Sequence, residues 1–208
     1  MGRIWLLGTH PGSLMEKKGK RMTKKILILN GSPREKGNSA TLSSQAAAGA
    51  VAAGAEVETL FLHRLNINPC DACDSCLNTS GECVIQDDMP GVYPKIAQAD
   101  VIVLASPVYW FTYSAQLKLC IDRWYAFQGV GWDVFKGKKF ALVLAYGDED
   151  LESSGGINAV HTVQTMCRFL KADLAGVVHG SLSAIGDAQK HPELMKQAFE
   201  LGQALAVG

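Results

Sequence analysis

Short apolar runs alternate with longer helical stretches along most of this chain, and this alternation restricts the fold more than any other feature. A repeated strand–helix order is typical of a parallel sheet, because parallel neighbours need a long crossover that a helix usually supplies. The sequence predicts five strands, at residues 26–29, 57–62, 101–105, 140–145 and 176–179. Helical patterns are predicted at 38–53, about 89–99, 114–127, 156–170 and 192–207.

The strand sequences are almost continuously apolar, as in ILIL, VIVLA and FALVLA. Such strands are buried on both faces, which predicts a doubly wound three-layer α/β/α domain with five parallel strands. In these sheets a ligand binds beyond the carboxyl ends of the strands, where the strand order reverses. The loops after the first, third and fourth strands are therefore the predicted functional loops.

Length and composition are consistent with one globular domain. The chain has 208 residues, of which 48% are hydrophobic and 19% charged, and its formal net charge is zero. We expect no nucleic-acid partner and no membrane association, and the cytoplasm is the predicted location. Residues 1–23 are predicted to be a disordered or non-native leader, and residues 24–208 the folded domain, with Met22 a sensible start.

The loop after the first strand, at residues 30–39, is predicted to bind a phosphate. Gly31 and Gly37 are expected to adopt backbone angles closed to other residues, and Asn38 or Ser39 to cap the next helix. Free amides at a helix start, with the helix dipole, form an anion site. The candidate ligands in this loop and helix are Ser32, Arg34, Asn38, Ser39 and Thr41.

The type of phosphate is restricted by what this loop lacks. Asn38 stands where a Walker motif would have lysine, and the dinucleotide pattern GxGxxG is also missing. A terminal monophosphate bound without magnesium, as in FMN, fits better. The alternative is an ordinary glycine-rich turn before a helix.

Two runs of sequence carry a family resemblance. ILILNGSPREKGNSATL resembles the phosphate loop of NAD(P)H-dependent FMN reductases, and ADVIVLASPVYWFTYSAQLKLCIDR resembles that family's second flavin loop and the following helix. With the cysteine segment described below, the resemblance covers about residues 24–205. It implies a flavodoxin-like fold, bound FMN, a nicotinamide nucleotide as electron donor, and a homodimer or homotetramer with the flavin near a subunit interface.

The loops after the third and fourth strands are predicted to hold the flavin ring, which needs an apolar wall and a few amides. Phe111 is nearly as well explained as a core residue, and the acidic stretch 148–152 as a solvated surface. The pair Asp122 and Arg123 is either a subunit contact or an exposed charge pair. The predicted ring contacts are Pro107, Val108, Tyr109, Trp110, Tyr146 and Gly147.

Four cysteines, with the spacing C-x2-C-x2-C-x6-C, lie in a predicted inserted loop at about 66–88. They are Cys70, Cys73, Cys76 and Cys83. This spacing is typical of a [4Fe–4S] site, and it resembles the compact motif of iron–sulfur flavoproteins. A zinc site and plain structural or oxidisable thiols are the alternatives. Cys120 and Cys167 lie in apolar helical settings and are expected to be inert.

Three functions follow as hypotheses. The first is an iron–sulfur flavoprotein that moves electrons between NAD(P)H or a carrier protein, FMN and a [4Fe–4S] cluster, and onward to a small-molecule acceptor. The second is a cluster-free NAD(P)H-dependent flavin or quinone reductase. The third is a non-catalytic electron carrier or a metal-stabilised binding module. No catalytic side chain is predicted, because the flavin carries the chemistry.

Overall fold

A computed structural model describes residues 23–207. The predicted leader therefore lies outside the described residues, apart from Thr23. The strands are β1 (Lys25–Asn30), β2 (Glu56–Phe61), β3 (Val101–Tyr109), β4 (Thr112–Tyr113), β5 (Lys139–Tyr146) and β6 (Asp173–Ser181). The α-helices are α1 (Asn38–Ala52), α2 (Ser75–Asn78), α3 (Met89–Gln98), α4 (Ala115–Asp122), α5 (Gly156–Leu170) and α6 (Pro192–Val207).

Five strands form a parallel sheet in the order β2-β1-β3-β5-β6. The two-residue strand β4 pairs antiparallel with the end of β3. The strand order reverses between β1 and β3, so the loops that follow these two strands flank a crevice at the carboxyl edge. The predicted doubly wound, flavodoxin-like architecture is confirmed.

Each face of the sheet carries one layer of helices. Ile28 and Val103 pack toward α1 and α6, whereas Leu29 and Leu104 pack with side chains of α3, α4 and α5. These four side chains are at most 1% exposed. Burial on both faces explains why the central strands read as continuous apolar runs. No described helix is both long enough and apolar enough to span a bilayer.

The predicted elements match the observed ones closely, and two of the differences affect the region of the site. β3 continues four residues beyond its predicted end at Ala105, so part of the predicted ring loop is strand. The helix predicted at 114–127 divides into α4 and a 3-10 helix at Arg123–Val130. The hydrophobic pattern continues across this change in helix type, which is why periodicity alone did not reveal it.

The contact between α1 and α6 requires glycine. A Cβ on Gly202 would lie 1.9 Å from the Ala46 carbonyl oxygen, whereas a Cβ on Gly91 in α3 would meet nothing within 4 Å. We expect Gly202→Ala to lower the free energy of unfolding by about 1–3 kcal/mol, because the two helices must separate. Gly91→Ala is the matched control and should raise it by roughly 0.5 kcal/mol, because alanine favours a helix. Urea denaturation measures both, and an equal response would contradict the close contact.

Candidate functional site

A cleft runs along the carboxyl edge of the sheet, and it brings together most of the predicted cofactor residues. One part, of about 160 Å³, lies between the loop after β1 and the ends of β3, β5 and β6. A second part, of about 190 Å³, shares three of its lining residues and extends toward the β3–β4 turn. The predicted residues that line the first part are Ser32, Arg34, Asn38, Ser39, Pro107, Val108, Tyr109, Tyr146 and Gly147.

Two predicted residues do not line the first part of the cleft. Thr41 does not line either described part of the cleft, because it sits one turn into α1. Trp110 lines the second part and not the first. The cleft thus has a polar end at the loop after β1 and an aromatic end at the β3–β4 turn.

The polar end has free hydrogen-bond donors. Within the described residues, no side chain caps α1, whose first residue follows the extended residue Gly37. The first amides of α1 are therefore left for another partner. The Ser39 hydroxyl also makes no described hydrogen bond, although this residue is only 1% exposed. Arg34 lines the same cleft and adds a positive charge.

The prediction that Gly31 and Gly37 need unusual backbone angles is wrong. Gly37 has φ −69° and ψ 161°, which any residue can adopt, and Gly31 is not among the residues with positive φ. Both glycines instead permit close approach. A Cβ on Gly31 would lie 2.6 Å from the Ser114 Oγ, and one on Gly37 would lie 3.0 Å from the Ser32 Oγ.

Neither Asn38 nor Ser39 caps α1, so that prediction is also wrong. The Asn38 side-chain amide donates to the carbonyls of Leu182 (3.2 Å) and Ala184 (2.8 Å), and its oxygen accepts from the Ala188 amide at 3.1 Å. This side chain ties α1 to the loop after β6. The Ser32 hydroxyl is similarly engaged, since it donates to the Arg34 carbonyl at 2.8 Å.

The aromatic end of the cleft is built by a two-residue turn. Trp110 and Phe111 connect β3 to β4, and both have positive φ, 49° and 69°. Two-residue hairpins favour this geometry, but Asn and Gly usually occupy it, so the turn is strained. Asn158 holds the turn by donating to the Phe111 carbonyl at 3.1 Å.

The turn presents its two aromatic side chains to solvent beside the cleft. Trp110 is 91% exposed and Phe111 55% exposed, so the alternative of Phe111 as a core residue is wrong. Strain at a turn that displays apolar rings points to a surface that contacts another molecule.

A tyrosine–histidine pair lies at the end of β5. The Tyr146 hydroxyl is 2.9 Å from Nδ1 of His179, and the two rings stack. Burial raises the pKa of Tyr146 and lowers the pKa of His179. No local sequence pattern indicates this pairing, because the two residues are 33 positions apart in the chain.

The loop after β6 was missed as part of the site. Leu182, Ser183 and Ile185 line the cleft opposite the loop after β1. The available signal was positional: β6 is parallel to β5, so its carboxyl end reaches the same edge of the sheet. The predicted strand ended at His179, two residues before the observed end, and no loop was assigned there.

The cysteine segment lies on the α3 and α4 side of the fold. Cys70 and Cys73 are exposed, Cys83 is half-buried and Cys76 is buried. Burial raises the pKa of Cys76, and the charges of Cys83, Cys70 and Cys73 raise it further.

The donor set fits an iron–sulfur cluster in its chemistry, and it does not form a preassembled site for one ion. Across residues 23–207, no three His, Cys, Asp or Glu side chains are gathered so that they could hold a single metal ion. A zinc ion about 2.3 Å from each of four sulfurs would require such a gathering. Four cysteine thiolates are the donor set that a [4Fe–4S] cluster takes, and Cys70, Cys73, Cys76 and Cys83 would be the residues to hold one.

The prediction for Arg123 is wrong in both its forms. Arg123 is 2% exposed, so it is neither an exposed charge pair nor a surface contact. Its guanidinium pairs with Asp87 beside the cysteine segment. Asp122 instead pairs with Lys118 on the surface of α4.

The two remaining cysteines are buried as predicted. Cys120 is not exposed at all, and Cys167 is 3% exposed. Burial raises the pKa of Cys120 to about 12 and that of Cys167 to about 11. Both thiols therefore stay protonated at neutral pH and are poor nucleophiles.

The strand order is that of a flavodoxin-like protein. The uncapped start of α1 and the aromatic wall of the cleft are features that suit a nucleotide-type cofactor. The family model for NADPH-dependent FMN reductase matches residues 24–187. This chain belongs to that family of oxidoreductases, as the two sequence runs predicted.

Known relatives include iron–sulfur flavoproteins. One from Archaeoglobus fulgidus is 32% identical over 184 residues, which cover 88% of this chain and 79% of that protein. Another, from Methanocaldococcus jannaschii, is 39% identical over 99 residues, which cover 48% of this chain and 51% of that protein. The second match thus spans about half of that relative's length.

Among solved structures, the NAD(P)H:quinone oxidoreductase of Methanothermobacter marburgensis has a TM-score of 0.68 to this chain. The two chains are 19% identical, and the match covers 88% of this chain and 97% of the other. This likeness shows the fold.

Proposed function

We propose that this protein is an FMN-dependent oxidoreductase of the iron–sulfur flavoprotein type. Electrons would pass between NAD(P)H or a carrier protein, FMN in the cleft, and a [4Fe–4S] cluster held by Cys70, Cys73, Cys76 and Cys83. The observation that supports this most is the pairing, in one chain, of a phosphate-type helix start with four cysteines at the spacing C-x2-C-x2-C-x6-C. The relative from Archaeoglobus fulgidus, an iron–sulfur flavoprotein that aligns with 88% of the chain, supports the same assignment.

The residues of the cleft would bind FMN by its two ends. The amides at the start of α1, the Ser39 hydroxyl and Arg34 would hold the terminal phosphate. Val108 and Tyr146 lie between the two parts of the cleft and would flank the ring. When bound, FMN supplies hydride and single-electron chemistry, and the chain holds, orients and shields it.

The aromatic turn would limit access to the ring end. Trp110 and Phe111 stand at the rim of the second part of the cleft, where they would exclude water and accept a flat nicotinamide or acceptor ring. The acidic stretch at 148–152 lies at this end, so the phosphate belongs at the loop after β1. The family resemblance implies a homodimer or homotetramer with the flavin near a subunit interface, and we infer that this exposed turn would form part of that interface.

A cluster-free NAD(P)H-dependent flavin or quinone reductase is the second candidate. It is favoured by the exposure of Cys70 and Cys73, since ligands of a resting cluster are usually shielded from solvent. In this case FMN would bind in the same cleft and take electrons from NAD(P)H, and the four thiols would be structural or oxidisable groups.

Anaerobic purification followed by iron, sulfide and flavin analysis separates the two candidates. The first predicts about four irons and four sulfides for each FMN, and the second predicts FMN alone. Rapid bleaching of the flavin absorbance by NADPH or NADH in stopped flow is expected for both. A protein that binds FMN but is bleached by neither nucleotide would exchange its electrons with a carrier protein, which contradicts the cluster-free NAD(P)H-dependent reductase.

A further inference from the structure

Two neighbouring acidic residues close the base of the cysteine segment. Asp88 accepts a hydrogen bond from the Asn66 amide at 2.7 Å and returns one from its own amide to the Asn66 carbonyl at 2.9 Å. The Asp87 carboxylate accepts from the amides of Asn68 at 2.9 Å and Met89 at 3.0 Å. Asn66 and Asn68 precede the first cysteine, and Asp87 and Asp88 follow the last one. These hydrogen bonds therefore join the two ends of the cysteine segment.

A buried arginine joins this base to the last cysteine. The Arg123 guanidinium pairs with both carboxylate oxygens of Asp87 and donates to the Asn68 carbonyl at 3.0 Å. Its Nη2 also lies 3.3 Å from Sγ of Cys83. The side chains of Arg123 and Asp87 are 1% and 0% exposed.

Stability alone does not account for this arrangement. Removing two charges from water costs about as much as their attraction returns, and apolar side chains of the same volume would pack as well. Lysine would supply the charge without a planar fork that can reach a carboxylate, a carbonyl and a sulfur together. The arrangement provides a permanently charged donor directed at one thiol.

We propose that Arg123 is a positioning residue for Cys83 and that its hydrogen bond to the Cys83 sulfur raises the reduction potential of the cluster. The inference rests on the proposed function, since it assumes that Cys83 is a cluster ligand. Asp87 orients the guanidinium, which fixes the position of the sulfur before the cluster assembles. Hydrogen bonds and positive charge at a ligand sulfur favour the reduced, more negative form of a cluster.

The acidic residues between the cysteines act in the opposite direction and more weakly. Asp71 and Asp74 are exposed, so water and salt screen their charges. The buried Asp87 carboxylate offsets most of the charge of Arg123, so Arg123 acts mainly through its hydrogen bond to the Cys83 sulfur. This contact is direct and buried, and screening by water and salt reaches it much less. The donor at Cys83 should therefore dominate the local effect on the potential.

The test compares three variants with the wild type, each purified anaerobically as the full chain. Arg123→Gln with Asp87→Asn removes both buried charges and retains polar partners for the backbone. Arg123→Lys retains the charge and loses the fork. The control, Lys118→Gln with Asp122→Asn, removes the exposed ion pair on the neighbouring turn. Iron and FMN content, the cluster midpoint potential and the electron paramagnetic resonance spectrum are measured.

The charge-free pair, Arg123→Gln with Asp87→Asn, should have a lower midpoint potential than the wild type and altered g values in its electron paramagnetic resonance spectrum. One FMN should still be bound per chain. Loss of iron with FMN retained also supports the inference, because the flavin shows that the domain is folded. Arg123→Lys should fall between the two, and the control should match the wild type. If the charge-free pair folds poorly, the comparison of Arg123→Lys with the wild type decides.

An unchanged iron content and potential in the charge-free pair, or in Arg123→Lys where that comparison decides, would overturn the role of Arg123 and leave the proposed function standing. A wild-type protein that takes up FMN and no iron overturns both.

Discussion

Cys73→Ala removes the iron from the reconstituted protein and leaves one FMN per chain. Cys73 is the middle thiol of C-x2-C-x2-C and is exposed, so its loss deletes one ligand without opening a cavity in the core. With only three cysteine ligands left, the cluster would be incompletely ligated and would be lost through exposure to solvent and oxidation. The cleft lies at the carboxyl edge of the sheet and contains no residue of the cysteine segment, so flavin binding is independent.

Iron, zinc and sulfide are measured on the same preparations, together with flavin absorbance. Cys167→Ala is the matched control, since it removes a thiol that is buried in α5 and lies outside the segment. This control should retain all its iron. Iron that is unchanged in Cys73→Ala would exclude Cys73 as a ligand, and zinc in place of iron in the wild type would favour the zinc site.

Ser39→Asp lowers the affinity for FMN by about 1,000-fold. The new carboxylate occupies the start of α1, where we propose that the terminal phosphate binds. Two like charges about 4 Å apart repel by about 4 kcal/mol at the effective dielectric constant of a protein surface, which corresponds to roughly three powers of ten in affinity. Ser39 is only 1% exposed, so burying a carboxylate there costs stability, which its favourable interaction with the helix dipole offsets only in part. Thermal unfolding of the apoprotein checks that the variant is folded.

Titration of apoprotein with FMN, followed by the quenching of flavin fluorescence, measures this effect. Ser39→Ala removes only the hydroxyl and should weaken binding by about 10- to 100-fold, because a hydrogen bond to a charged group contributes about 1.5–3 kcal/mol. Ser44→Asp makes the same change on an exposed face of α1 and should leave affinity unchanged. Equal affinities for Ser39→Asp and Ser44→Asp would place the phosphate elsewhere.

The sequence alone determined the elements and the edge of the sheet that holds the site. α5 and α6 begin and end where the pattern placed them, because hydrophobic spacing within one helix depends only on neighbouring residues. The position of a site at the carboxyl edge follows from parallel strands joined by crossovers, and this too is visible in the order of elements.

Only the tertiary structure decided which distant side chains meet. Arg123 and Asp87 are 36 residues apart in sequence, and nothing in the local pattern indicates that the fold pairs their side chains and buries both. The contribution of the loop after β6 to the cleft, the strained turn at Trp110 and Phe111, and the Asn38 bridge also depend on contacts across the sheet. Local patterns reflect forces between near neighbours along the chain, whereas burial and charge pairing depend on residues that only folding brings together.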